Sequence, residues 1–255
     1  MKITTVGLDL AKQVFQVHGV DERDKVVLRK QLRRREVLGF FANLPPCLIG
    51  MEACGGAHYW AQRLMEYGHT VKLMAPQFVR PYVKANKTEA HDAEAICEAV
   101  TRPTMRFVPV KTPEQQAILA VHRARQGFVK ARTAQVNQLR SLLAEFGLVL
   151  PQGIQRLRQQ LPAALVELET TVPEFVRQLF ITLFAHVKEL DRQIAELEQQ
   201  IKRWHRTSPP SRKLEAVPGI GPLTASALVA SIGDPTAFTT GRQLAAWLGL
   251  VPRQH

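Results

Sequence analysis

The apolar residues in the C-terminal half of the chain recur with the spacing of a long α-helix. Steps of 3, 4, 3, 4 and 3 residues separate six of them, namely Val187, Leu190, Ile194, Leu197, Ile201 and Trp204. This heptad pattern predicts a continuous helix with one apolar stripe, which has to be buried against another helix. The partner is either a second helix of the same chain or a second copy, as in a coiled coil.

Helical sequence extends well before this stripe. It begins at Thr112-Pro113, since proline is favoured at the first helical position. Steps of 3, 4 and 3 residues then separate Val136, Leu139, Leu143 and Phe146. The two prolines within 208–211 predict a linker. We therefore predict a helical, coiled-coil segment over residues 111–207 and a separate C-terminal part over 212–255.

The first 110 residues alternate between strand and helix signals. Strand-like runs lie at 3–9, 14–20, 25–32, 47–52, 70–74 and 105–110. Helical patterns lie at 35–44, 58–67 and 90–100. Three leading strands followed by alternating helices and strands predict an α/β domain over residues 1–110, with a mixed sheet covered by helices.

Four carboxylates occur where this domain would bring them together. Asp9 and Glu52 each end an apolar, strand-like run, and Glu89 and Asp92 lie three residues apart on a predicted helix. Crowded carboxylates require cations, so the group predicts a site for Mg²⁺ or Mn²⁺. Two such ions ~4 Å apart clamp a phosphodiester and activate an oxygen nucleophile. Taken singly, each acid is also compatible with a surface position or, for Glu89 and Asp92, with a helix N-terminus.

A second compact motif lies at 217–222, where two glycines and two prolines interrupt helical sequence. Gly219 and Gly221 permit tight backbone conformations, and Thr224 follows in the first turn of the next helix. Exposed amides and a helix dipole would bind a phosphate there, as in a helix-hairpin-helix that binds DNA backbone. The alternative is an ordinary tight turn between two packed helices.

The positive charge of the chain is concentrated. The 255 residues carry a net charge of +12, and residues 121–160 contain seven basic residues against one acid, Glu145. The basic residues are Arg123, Arg125, Lys130, Arg132, Arg140, Arg156 and Arg158. A second cluster contains Arg29, Lys30, Arg33, Arg34 and Arg35. Such clusters favour nucleic acid, although a solvated helix face is the simpler interpretation of either one alone.

Other classes of protein are excluded or disfavoured. A hydrophobic content of 45% argues against a disordered chain. No apolar run is long enough to span a bilayer, so we expect no membrane partner. Three cysteines without metal-binding spacing fit a reducing cytoplasm. A sugar-kinase or actin-like ATPase would need a glycine-, serine- or threonine-rich phosphate hairpin, which Ala11-Lys12-Gln13 does not supply.

The motifs in this order resemble the DEDD transposases of the insertion-sequence one-ten (IS110) type and the related Piv-type DNA invertases. The residues that carry the resemblance are Gly7–Lys12, Met51–Gly55, Lys87–Ala93 and Val217–Pro222. The resemblance implies a RuvC-like, ribonuclease-H-type N-terminal domain, a coiled-coil segment and a C-terminal domain with a helix-hairpin-helix. It also implies that the four acids bind magnesium, and that some members use a guide RNA from the element. It places the protein in the bacterial cytoplasm, with the nucleoid.

Two departures from the family pattern affect the expected chemistry. The third acid is normally Asp, whereas this chain has Glu89, which is one methylene longer. Family members also continue beyond 248–253 into a segment with a serine nucleophile, and this sequence stops at His255, so we expect a C-terminally truncated copy.

Three functions therefore stay open. The first is a DNA transposase or site-specific recombinase, in which Asp9, Glu52, Glu89 and Asp92 hold the metal and the heptad helix pairs subunits. Its nucleic-acid contacts would come from Arg123, Arg125, Lys130, Arg132, Gly219, Gly221 and Thr224. The second is a Holliday-junction-type nuclease that uses metal-activated water. The third is a non-catalytic nucleic-acid-binding remnant.

Overall fold

The computed structural model describes residues 2–84 and 89–250, with the backbone alone for Glu89 and Ala90. Lys87, Thr88 and the residues after Leu250 lie outside the described residues, as does the side chain of Glu89. The chain packs into two units. The first contains the described residues up to Thr112 and those from Asp234 onward, and the second runs from Pro113 to Gly233. The predicted three-part division stays a prediction.

Six strands form one mixed sheet in the described part of the first unit. They are β1 (Thr5–Leu10), β2 (Val14–Val20), β3 (Val26–Arg33), β4 (Leu48–Glu52), β5 (Thr70–Met74) and β6 (Phe107–Val108), in the order β3-β2-β1-β4-β5-β6. Strands β1 to β3 are antiparallel neighbours, β4 lies parallel to both β1 and β5, and β6 is antiparallel to β5. The predicted α/β class with a mixed sheet is confirmed.

Helices cover both faces of this sheet. They are α1 (Val37–Ala42), α2 (Ala57–Met65), α3 (Pro76–Val79) and α4 (Glu89–Val100). On one face, Phe41 of α1 and Trp60 of α2 pack with Leu8 and Ile49 in the main core. Residues of α4 form a second core with Met74 and Val79. Fully burying one such side chain contributes about 1.5–3 kcal/mol, which fixes these helices on the sheet.

The second unit consists of helices in its described residues. They are α5 (Pro113–Ala144), α6 (Ile154–Glu167), α7 (Glu174–Thr207), α8 (Pro209–Glu215) and α9 (Pro222–Ile232). A further helix, α10 (Gly241–Trp247), belongs to the first unit. Val187, Leu190, Ile194 and Ile201 of the heptad pattern are buried, and α5 is the principal neighbour of α7. The stripe is therefore covered within the chain, and a coiled coil between two copies stays a prediction.

The linker predicted at residues 208–211 is wrong, because helix α8 begins there. Ser208 and Ser211 are buried, and His205 of α7 hydrogen-bonds the Ser211 hydroxyl at 2.8 Å and Glu215 at 2.9 Å. These contacts join α7 and α8 into one packed corner. Across the described helices, none has the length and apolar character needed to cross a membrane.

Candidate functional site

The first two predicted acids lie at the same end of two neighbouring strands. Strands β1 and β4 are parallel, with Leu8 opposite Met51. The residues that follow in each strand are Asp9 and Glu52, both partly exposed. In parallel strands the carboxyl ends share one edge of the sheet, and ligands bind at that edge in open α/β folds.

Two glycines explain which face of the sheet these acids use. A Cβ atom added at Gly7 would lie 2.0 Å from the carbonyl oxygen of Ala93, and one added at Gly50 would lie 2.8 Å from Cβ of Val100. Helix α4 therefore rests directly on the strand backbones at these positions. Asp9 follows Gly7 by two residues, so alternation along a strand directs its side chain to the α4 face. Glu52 follows Gly50 in the same way.

The direction of α4 brings its first turn toward the same edge. The Cys97 thiol donates to the carbonyl oxygen of Thr5 at 3.8 Å, and Ala93 lies over Gly7. Contacts thus move toward the start of the helix as β1 runs toward Asp9. Asp92 lies in this first turn, four residues before the buried Ile96, and is partly exposed. Glu89 is the first residue of α4.

Asp9 and Glu52 both lie close enough to Cys54 to affect the pKa of its thiol. Desolvation raises the pKa of the Cys54 thiol, and the negative charges of Glu52 and then Asp9 raise it further. Both carboxylates therefore act on a group two residues beyond the end of β4. Cys54, Gly55 and Gly56 are exposed, so the backbone at this edge is open to a ligand.

The donor chemistry at this edge suits a hard divalent cation, since Mg²⁺ prefers carboxylate oxygens. Among the residues whose side chains are described, however, no group of three His, Cys, Asp or Glu is close enough to hold a metal ion. The side chain of Glu89, the fourth predicted acid, lies outside the described residues. Asp9, Glu52 and Asp92 thus supply fitting donors on one edge without forming a complete ligand set.

A small cationic cavity lies beside α4. It measures about 150 Å³, and His18, Arg29 and His91 are among its lining residues. Burial lowers the pKa of His18, with Arg29 and Lys84 lowering it further and Glu94 opposing them. Arg29 lies 3.9 Å from Glu94 of α4. Part of the predicted basic cluster in the first unit therefore faces this helix.

The predicted hairpin is an exposed turn between α8 and α9. Gly219 has a φ of +87°, a conformation that favours glycine. The amide of Ile220 donates to the carbonyl of Val217 at 3.0 Å, and that of Ala225 donates to Gly221 at 2.9 Å. A Cβ at Gly219 or Gly221 would meet no atom within 4 Å. Solvent or a ligand can therefore approach both glycines, and Thr224 is exposed beside them.

A group of cations beside this hairpin was missed by sequence reasoning. Lys202, Arg206 and Arg212 line a cavity of about 440 Å³ together with His205, Glu215 and Pro222. All three cations are exposed, and none forms a salt bridge with a described residue. The available signal was the spacing of Lys202 and Arg206, four residues apart on one helix face. Because a linker was predicted at 208–211, the sequence did not indicate that Arg212 lies near Lys202 and Arg206.

The predicted basic stretch over residues 121–160 contains cations that bind other residues and cations that have no such partner among the described residues. Arg125 binds Glu198 of α7 with its Nε 2.8 Å from the carboxylate, and Arg132 binds Asp191 at 2.8 Å. Arg158 also binds Asp191, and Arg140 donates to the carbonyl of Leu150 at 3.0 Å. Arg123, Lys130 and Arg156 are exposed. Four of the seven predicted cations thus stabilise the second unit.

Comparison with known proteins assigns the chain to a family. Residues 6–147 match a family model described as an IS110 DEDD transposase, and residues 211–255 match the transposase family IS116/IS110/IS902. The chain is 54% identical over its whole length to a probable family 20 transposase of Pseudomonas aeruginosa, covering 76% of that protein.

More distant relatives agree with this result. A transposase for insertion sequence element IS1328 of Yersinia enterocolitica is 40% identical over 99% of the chain and 75% of its own length. A pilin gene-inverting protein of Moraxella bovis is 24% identical over the whole chain and 74% of its own length. The resemblance deduced from the motifs is confirmed: the chain belongs to the IS116/IS110/IS902 family of transposases.

Proposed function

We propose that this protein is a DNA transposase or recombinase of an insertion sequence, and that Asp9, Glu52, Asp92 and Glu89 form its metal-binding centre. The observation that carries the proposal is the convergence of two strand ends and the first turn of α4 at one edge of the sheet. Family membership supports it, and so does the ribonuclease-H-type arrangement that the resemblance implies for the first unit.

The residues at this edge of the sheet suggest how it would bind a metal ion and a DNA strand. Carboxylates on adjacent strands would hold Mg²⁺ or Mn²⁺, and the bound ion would polarise a phosphodiester and activate an oxygen nucleophile. In this proposal the close contact of α4 with Gly7 and Gly50 would keep the first turn of α4, with Asp92, near the strand ends. The exposed backbone at Gly55 and Gly56 leaves room for a DNA strand.

The second unit would hold nucleic acid. In this proposal Gly219, Gly221 and Thr224 present the hairpin to a phosphate, and Lys202, Arg206 and Arg212 surround it with positive charge. Arg123 and Lys130 extend the contact along α5. Arg125 and Arg132 are assigned a structural role, because their guanidinium groups bind acids of α7. A guide RNA as an additional partner rests on the resemblance alone.

We do not assign the serine nucleophile that the resemblance implies to any of three buried serines of the second unit. Ser208, Ser211 and Ser226 are buried. The Ser226 hydroxyl donates to the carbonyl of Pro222 at 2.7 Å and lies 3.0 Å from His122 Nε2. A buried hydroxyl in such a network cannot reach a phosphodiester.

The acids at the sheet edge would also suffice for a second candidate, a metal-dependent nuclease that attacks with water. The two functions differ in whether protein becomes joined to DNA. A covalent adduct between protein and DNA would support the recombinase. Cleavage of branched DNA without an adduct would support the nuclease.

The test compares Asp9→Asn and Glu52→Gln with Glu66→Gln, an exposed acid at the end of α2. We expect the two site variants to lose Mg²⁺-dependent cleavage of plasmid DNA by at least about 100-fold while still binding DNA, since metal-ion catalysis supplies several kcal/mol. Calorimetric Mn²⁺ binding should weaken in the same variants. Cleavage and Mn²⁺ binding at the level of Glu66→Gln would refute the proposed centre.

A further inference from the structure

A cavity on the other face of the sheet combines arginines with aromatic rings. It measures about 710 Å³, within the ~300–1,000 Å³ typical of small-ligand sites. Arg33, Arg34 and Arg35 line it together with Tyr59 and Trp60 of α2. Arg33 ends β3, and the other two arginines begin the short 3₁₀-helix Arg34–Glu36.

The three arginines carry charge that is not neutralised nearby. All three are exposed, and none forms a salt bridge with a carboxylate of the described residues. The nearest acid in sequence, Glu36, accepts a hydrogen bond from the backbone amide of Arg33 at 2.8 Å. This differs from Arg125 and Arg132 of the second unit, which bind acids of α7. The cavity is therefore a strongly cationic surface.

Aromatic packing fixes the central arginine in place. The Arg34 guanidinium lies 5.1 Å from the ring centre of Trp60 and 5.9 Å from that of Phe15. Its backbone amide donates to the carbonyl of Gln13 at 2.8 Å, which ties the 3₁₀-helix to the β1–β2 turn. Trp60 is itself buried and cannot take a ligand. A pre-positioned guanidinium plane of this kind can stack on a nucleotide base.

Tyr59 provides a second stacking surface. Its side chain is 46% exposed, and its ring packs edge-on against Trp60 with the centroids 5.3 Å apart. The ring is thereby supported from behind while its remaining surface is open. Exposed aromatic rings beside free arginines are the combination by which proteins bind unpaired nucleotides.

We propose that this cavity binds an unpaired stretch of nucleic acid, with bases stacked on Tyr59 and Arg34 and phosphates held by Arg33 and Arg35. A duplex presents its bases only at groove edges, so stacking on Tyr59 requires a single strand. The inference rests on the proposed function, since it adds a single-strand site to a protein proposed to open and rejoin DNA. DNA and RNA strands share the recognised chemistry.

The experiment measures binding of the full chain to labelled oligothymidine, oligouridine and a duplex of equal length, about 12 nucleotides, by fluorescence anisotropy. The variants are Tyr59→Ala, Tyr59→Phe and the double change Arg33→Ala/Arg35→Ala. The matched control is Arg23→Ala/Lys25→Ala, which removes two exposed cations at the opposite end of β3. Thermal unfolding checks that each variant is folded.

We expect Tyr59→Ala to weaken single-strand binding by about 5-fold or more, and Tyr59→Phe to restore it, because stacking needs only the ring. The Arg33/Arg35 change should weaken it by at least 10-fold, against less than 2-fold for the control. If the site variants lose binding to oligothymidine, the occupant is a DNA strand. If they lose binding to oligouridine, the occupant is an RNA strand. Either supports the site.

Three results would overturn the assignment. If the site variants bind single strands as tightly as the control variant, the cavity is not the binding site, and the proposed function is unaffected. An equal loss of duplex binding by Tyr59→Ala would contradict stacking on an unpaired base. A wild-type chain that binds none of the three probes would overturn both this site and the proposed function.

Discussion

At the scale of single residues, the arrangement of the acids depends on two positions that carry no side chain. Gly7 and Gly50 face each other on β1 and β4, and α4 rests on both. Any larger residue would push the helix away from the strands. Because Asp92 belongs to that helix and Asp9 follows Gly7 closely, the glycines set the distance between the proposed metal ligands.

Gly7→Ala tests this dependence. The added Cβ would lie 2.0 Å from the Ala93 oxygen and 2.5 Å from the Cys97 nitrogen, both backbone atoms. We expect a loss of about 1–3 kcal/mol in the free energy of unfolding, as for an overpacked core, together with weaker Mn²⁺ binding. Gly39→Ala on α1 is the control, since its Cβ meets nothing within 4 Å. Equal urea midpoints for the two variants would contradict the close packing of α4.

At the scale of elements, local periodicity predicted most of the fold. The strand at 70–74 matches β5, and the helix at 90–100 differs from α4 by one residue. The strand at 105–110 shortens to Phe107–Val108, because only Leu73 and Met74 of β5 pair with it. Local pattern also located Asp9, Glu52 and Asp92 at the ends of elements.

Salt bridges between elements far apart in sequence could not be predicted from the sequence. Arg125 and Arg132 share one face of α5, which favoured a common ligand. Their acids, Glu198 and Asp191, lie on α7 more than 50 residues later. The two α5 arginines therefore turn toward α7, away from the solvent. The cations beside the hairpin were missed for the same reason, since packing of α8 against α7 brings them together.

Arg132→Ala and Lys130→Ala separate structural from binding cations on the same helix. Arg132 is half-buried, and its removal leaves Asp191 with one partner fewer, so we expect a loss of about 1–3 kcal/mol in the free energy of unfolding. Lys130 is exposed, and its change should alter stability by less than ~0.5 kcal/mol. Urea unfolding measures both. Lys130→Ala should instead weaken DNA binding. If Lys130→Ala lowered the stability and Arg132→Ala weakened only DNA binding, the two roles assigned to these residues would be wrong.

At the scale of the whole molecule, net charge is a poor guide to where nucleic acid binds. The chain carries +12, yet many arginines are already bound to acids. Hydrogen bonds from Arg177 to Glu174 and from Arg192 to Glu189 raise the pKa of each guanidinium. Such pairs have little charge left to release counterions from a phosphate backbone. Cations without a salt bridge to a described residue, such as Arg206 and Arg212, should dominate binding.

Salt dependence distinguishes free charge from total charge. Arg206→Ala/Arg212→Ala and Arg177→Ala/Arg192→Ala remove the same two charges from the second unit. Each phosphate contact contributes about 0.9 to the slope of log K against log salt concentration. We expect the first double variant to reduce that slope by about 1.8 on a labelled duplex and the second to leave it nearly unchanged. If both variants reduced the slope equally, binding would follow net charge. The cations around the hairpin would then have no special part in it.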